Sequence, residues 1–88
     1  MTLDDKFDSE IGVRVRTIIA DTTRTDYVDI KEADSLLRED LGLDEIDMAE
    51  IAIALEEEYK LEQIPESEMD GMLTTRSLVD YVITHYKP

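Results

Sequence analysis

Three stretches of the chain place apolar residues at spacings of three and four, the period of a helix with one buried face. The first covers residues 4–20, where Phe7, Ile11, Val15, Ile18 and Ile19 share a side. Gly12 interrupts it at a cost of about 1 kcal/mol relative to alanine. Asp21-Thr22-Thr23-Arg24-Thr25-Asp26 is expected to end it, because Thr and Asp favour caps and turns. The second helix is predicted over residues 45–60, and it carries two apolar lines rather than one. Met48, Ile51, Ala52, Leu55 and Tyr59 follow the 3.6-residue period and are assigned to the core. Ile46, Ala49 and Ile53 form the other line, interleaved with Asp47, Glu50, Glu56 and Glu57. The last helix is predicted over residues 76–86, with Leu78, Val79, Val82, Ile83 and Tyr86 inward and Thr74-Thr75 as its cap.

Between these helices the pattern weakens. Residues 27–43 show no sustained period, and Tyr27, Val28, Ile30, Leu36, Leu37 and Leu41 read as anchors that pin a long loop, with a short helical turn around residues 33–37. Pro65 disfavours a helical Ile64 and can open a short helix over residues 66–70, stopped near Gly71. The predicted core is Phe7, Ile11, Val15, Ile18, Leu41, Ile51, Leu55, Tyr59, Ile64, Leu78, Val79 and Val82. Ser67 and Ser77 read as turn or cap residues.

At 88 residues, with 42% hydrophobic residues and no cysteine, the chain is read as one small domain, 1–88, held by a single apolar core without disulfides. The 6% aromatic content and absence of tryptophan favour a helical bundle over a sandwich or barrel. No apolar run reaches membrane-spanning length, and Met1-Thr2-Leu3-Asp4-Asp5 lacks the basic start of a signal peptide, so a cytoplasmic protein is expected.

Charge changes the picture more. The formal net charge is −14, and residues 29–70 hold sixteen acidic against three basic side chains. Such a segregated field repels nucleic acid and anionic lipid and attracts basic protein surfaces. Catalytic chemistry is sparse. His85 is the sole histidine and sits near a helix C-terminus, where a cation is favoured. No stretch has the Asp-x-Asp-x-Asp-Gly spacing of a calcium loop, and no glycine-rich phosphate loop occurs. The residues point to no catalytic centre and no dedicated metal site, so an enzyme is not expected.

One run carries a family resemblance. In Asp40-Leu41-Gly42-Leu43-Asp44-Glu45-Ile46-Asp47, Gly42 supplies a turn, Asp44 can cap the following helix, and acidic Asp47 stands three residues on, much like a capping box. Glu45 and Asp47 also set negative charge against the positive end of the helix dipole. The run resembles the Gly-x-Asp-Ser-Leu signature of acyl carrier proteins, whose serine opens the second helix and bears 4'-phosphopantetheine. Leu61-Glu62-Gln63-Ile64-Pro65, Leu73-Thr74-Thr75 and Leu78-Val79-Asp80-Tyr81-Val82 extend the likeness, with Gln63 an extra residue before the short helix.

The resemblance implies an all-α fold: an antiparallel four-helix bundle with a short third helix and a long first loop. It also implies that Ile46, Ala49 and Ile53 are exposed and dock, with Asp44, Asp47, Glu50, Glu56 and Glu57, to basic surfaces of acyl-transfer or fatty-acid-synthesis enzymes. The chain is then a monomer acting in fatty acid or related acyl-chain biosynthesis. The serine position is Glu45. A carboxylate that attacked the pyrophosphate of coenzyme A would form an acyl phosphate, which hydrolyses readily, and its fixed charge repels the incoming pyrophosphate. No cofactor is therefore expected on the sequence as written, and 4'-phosphopantetheine only if residue 45 is serine in the source gene. As a plain first-turn residue Glu45 is favoured by the dipole alone. Asp34-Ser35-Leu36 spells the same triplet but lies upstream, in the loop, out of register with the rest. Three roles stay open: a carrier whose serine has been exchanged, a natural non-carrier interaction or regulatory protein using the same surface, and an acidic decoy unrelated to acyl chemistry.

Overall fold

In the computed structural model, residues 9–30 and 37–86 are described. Helix α1 spans Glu10–Thr23 and is capped by Ser9, whose side chain accepts from the Gly12 N–H at 3.2 Å. This differs from the predicted 4–20. Residues 4–8, Phe7 among them, lie outside the described residues, and the Ser9 cap opens the helix at Glu10. At the other end α1 runs three residues beyond Ala20. The Thr23 hydroxyl donates back to the Ile19 carbonyl at 2.7 Å, so a residue type that often leaves helices is used inside one. Termination falls to Arg24, which adopts the left-handed conformation (φ 57°) and returns its N–H to the Ala20 carbonyl. Val15, Ile18, Ile19 and Ala20 are buried along α1, while Ile11 packs at the edge of the core.

A 3₁₀ turn at Tyr27–Ile30 follows and buries Ile30 completely. The helical turn expected around residues 33–37 falls almost wholly outside the described residues. Leu37, fully buried, ties the end of the loop in two directions: its N–H donates to the Leu73 carbonyl at 2.9 Å, and its carbonyl accepts from Leu43 at 3.1 Å. Leu43 is also buried, whereas Leu41, assigned to the core by sequence, is only half-buried. Gly42, between the two, takes a positive φ of 69°, and Leu43 rather than Leu41 is the one fully turned inward.

Helix α2 spans Glu45–Tyr59, α3 Glu66–Gly71, and α4 Thr75–His85. The inner line of α2 is buried at Met48, Ile51, Ala52 and Leu55. Tyr59 is half-buried rather than core, since it occupies the last turn before left-handed Lys60. Its ring meets Tyr86 edge-on at 5.2 Å, and burial pushes its phenol above the ordinary tyrosine range. Among the described residues its buried hydroxyl has no hydrogen-bond partner, and neither has that of Thr75. The α3 helix is short and opened by Pro65; it contributes Met69, and Met72 follows, both buried. Thr74 caps α4 by accepting from the Ser77 N–H at 3.2 Å, and Leu78, Val79 and Val82 are fully buried on its inner face.

The elements form a four-helix bundle, with no β-strand among the described residues. α1 packs on α2 and α4, and α3 packs on α2. Leu55, with no exposed surface, sits at the centre of this arrangement. Leu55→Ala is expected to cost about 2–5 kcal/mol, a large share of the stability of so small a domain. Urea denaturation checks this, and an unchanged midpoint would mean that another face of α2 holds the bundle together.

Candidate functional site

The entry to α2 is built in three steps. Gly42 takes a positive φ of 69°, a backbone conformation that side-chain-bearing residues rarely adopt. A Cβ there would meet nothing within 4 Å, so the demand for glycine comes from the backbone and not from crowding. Burial of Leu43 then sets the direction in which the chain leaves the turn. Asp44 closes a reciprocal cap: its Oδ1 accepts from the Asp47 N–H at 2.8 Å, and its own N–H donates to Asp47 Oδ2 at 3.2 Å. The carboxylates of Asp44 and Asp47 are thus turned onto the backbone that they cap.

Glu45 lies between them at the first helical position and is exposed. Among the described residues no hydrogen bond or ion pair engages its carboxylate. Next to it Ile46 is 68% exposed, and one and two turns on lie Ala49, also exposed, and Ile53, 54% exposed. Isolated exposed apolar residues are ordinary on protein surfaces. A line of three on one helix, beside a groove, is not.

That groove has a volume of about 550 Å³ and runs between α2 and the α3 region. Ile46, Ala49 and Ile53 form one wall, with Ile64 and Met69 opposite. Its charge is one-sided. Among the described residues, Glu45, Glu50, Glu56, Glu66 and Asp70 line it against one cation, Arg38, which lies 3.6 Å from Asp70. Glu56 is held in place: it is half-buried, and its Oε2 accepts from the Ile64 N–H at 2.8 Å. Glu50 and Glu57 are exposed.

The α2 side of this groove is legible in the sequence, and on the far side so is the burial of Ile64. Arg38, Met69 and Asp70 are not, because they come from a loop and a six-residue helix, segments too short to show a period. The tie from Glu56 to the Ile64 backbone had no signal in the sequence. It holds Ile64 in the groove wall beside the extra Gln63, which is exposed and lines the groove as well.

Several hydroxyls elsewhere serve the backbone. Ser9 and Thr74 cap helices, Thr17 and Thr23 bond to carbonyls one turn earlier in α1, and Ser77 lies 2.9 Å from Thr74. Ser35 lies outside the described residues. His85 stacks on Tyr81 at 4.0 Å and its Nδ1 is 2.9 Å from the Tyr81 carbonyl, which accounts for it structurally. Among the described residues, no group of three or more His, Cys, Asp or Glu is placed to hold a metal ion, and no helix is long and apolar enough to cross a membrane.

The helical bundle thus turns one acid-rimmed apolar helix face outward. The sequence matches the family described as phosphopantetheine attachment site over residues 13–82, and the chain belongs to that family, consistent with acyl carrier proteins. Domains of this family act as carriers and are not themselves catalytic, and they normally bear 4'-phosphopantetheine. That group is attached as an ester of a serine hydroxyl. The first turn of α2 offers Asp44, Glu45, Ile46 and Asp47, carboxylates and an alkyl chain with no hydroxyl, so the residues present at this helix start do not fit the group.

The exposed carboxylates concentrate like charge on a small body, and mutual repulsion opposes its compact state. Monovalent salt is therefore expected to raise the melting temperature by screening, and millimolar divalent cation to raise it further. Calorimetry checks this; a melting temperature indifferent to both would show that the carboxylates are too far apart to act on one another.

Proposed function

We propose that the chain is a carrier-type docking domain of fatty acid or related acyl-chain biosynthesis, engaging acyl-transfer enzymes through α2. The observation that carries this reading is the exposed line Ile46, Ala49 and Ile53, bordered by carboxylates at Glu45, Glu50, Glu56 and Glu57. An apolar centre with a charged rim suits transient association. Apolar contact supplies affinity, and complementary charge supplies orientation and encounter rate. The partner surface is correspondingly basic, with an apolar patch at its middle.

The chain docks without carrying. Its family membership supports a carrier-like surface, and in the register of the Gly42-Leu43-Asp44 turn the carrier position falls on Glu45. Asp44 and Asp47 act in this surface mainly by fixing the start of α2, because both carboxylates are occupied in the cap. Glu56 has a double part, bracing Ile64 while lending charge to the groove.

Two measurements test the reading. Binding to an immobilised acyl-transfer enzyme of fatty acid synthesis is expected to be weak and salt-dependent. It is expected to vanish in the double variant Glu50→Lys/Glu57→Lys while circular dichroism stays unchanged; undiminished binding by that variant would place the interface elsewhere. The second measurement is intact mass after incubation with coenzyme A and a broad-specificity phosphopantetheinyl transferase. The chain is expected to keep its mass, whereas Glu45→Ser gains one phosphopantetheine, because a hydroxyl at the helix start receives a phosphate favoured by free N–H groups and the dipole. An unmodified Glu45→Ser variant would show that the surface no longer fits the transferase. Modification of the unaltered chain, abolished by Ser35→Ala, would move the site to the loop.

A further inference from the structure

The mismatch between Glu45 and the family's prosthetic group has a chemical consequence. In a loaded carrier the serine Cβ is followed by Oγ and then by phosphorus. In glutamate Cβ is followed by Cγ and then by the carboxylate carbon. Each charged centre thus lies two bonds beyond Cβ. The phosphate of the arm is a diester with one negative charge shared over two free oxygens. A carboxylate at neutral pH also carries one negative charge over two oxygens. A phosphomonoester, by contrast, carries about −1.5 to −2 charges over three oxygens. Glutamate therefore matches the diester in reach, charge and oxygen count better than it matches a phosphorylated serine.

The structure leaves this particular carboxylate free to be read. Asp44 and Asp47, on either side, are folded onto the backbone by the reciprocal cap. Glu45 is exposed, has no partner among the described residues, and stands at the rim of the groove beside Ile46. Its charge is thus presented at the edge of the apolar line, at the start of the helix.

We propose that Glu45 stands in for the phosphodiester at the root of the arm, so that the chain shows a partner the charged face of a loaded carrier without the arm itself. The partner is an acyl-transfer enzyme with a cationic side chain opposite residue 45, and the chain acts on it as a competitor of loaded, serine-bearing carriers. This rests on the docking reading given above and adds regulation to it. Nothing is transferred to or from the chain in this role, so its effect depends on its concentration relative to loaded carriers and on ionic strength.

The test is a competition assay. An acyl-transfer enzyme turns over an acylated, serine-bearing carrier of the same family while the chain is added as inhibitor, at low and at high salt. The chain is expected to inhibit competitively with the loaded carrier, more strongly at low salt. Glu45→Gln, which keeps the shape and removes the charge, and unloaded Glu45→Ser are each expected to raise the inhibition constant by about tenfold, the size of effect a facing charge pair supports. Glu45→Ser loaded with phosphopantetheine is expected to recover the inhibition of the unaltered chain. Equal inhibition by the unaltered chain and Glu45→Gln, with loss in Glu50→Lys/Glu57→Lys, overturns the role of Glu45 and leaves docking intact. Inhibition that loaded carrier does not relieve also overturns the proposal. Absence of any binding by the unaltered chain overturns the docking reading, and this proposal with it.

Discussion

Helix α2 holds more apolar side chains than one face can bury, and most of what is distinctive about the molecule follows from that. Met48, Ile51, Ala52 and Leu55 face the bundle, against α1 and α3. Once that stripe is inward, helical geometry carries Ile46, Ala49 and Ile53 outward, since residues on opposite faces cannot both reach the core. Exposing them forgoes burial that would have stabilised the fold, about 25 cal/mol per Å² of apolar surface. A helix shaped by stability alone would place polar residues there. The carboxylates interleaved with these positions keep such a strip solvated.

The start of α2 is set with comparable care. Gly42 turns the chain, Leu43 anchors it, and the Asp44–Asp47 cap satisfies backbone groups at the first turn. Two of the three carboxylates at this helix start are consumed by structure. The third, Glu45, is exposed and takes no part in the cap. Its carboxylate is therefore set apart in geometry from those of its neighbours, although all three are acidic residues within four positions of each other.

Groove and cap are both tied to α2 by side-chain-to-backbone hydrogen bonds. Glu56 braces the Ile64 backbone, so the far wall is fixed relative to α2 in spite of the short α3. The family match over residues 13–82 spans the turn, the cap and the groove alike.

How much of this was legible in the sequence depends on the element. The helices with sustained periods were readable, because a buried face repeats every three to four residues whatever it packs against. The inner and outer lines of α2, the cap at Asp44 and the cap at Thr74 follow from local chemistry and needed no partner to be seen. Boundaries were harder: Thr23 was expected to end α1 and instead serves it, through a bond to the Ile19 carbonyl that only a formed helix offers. Leu41 and Leu43 lie two residues apart in a loop, and nothing local says which of them goes inward. The turn at Gly42 and the bonds between Leu37, Leu43 and Leu73 decide it, by joining segments distant in sequence. Likewise Met69, Met72, Arg38 and Asp70 enter the core or the groove through segments shorter than a repeat. Local patterning by itself determined the helices and which of their faces are apolar. Only the tertiary structure decided which loop side chains complete the core and the groove wall, because those contacts join parts of the chain whose separation carries no periodic trace.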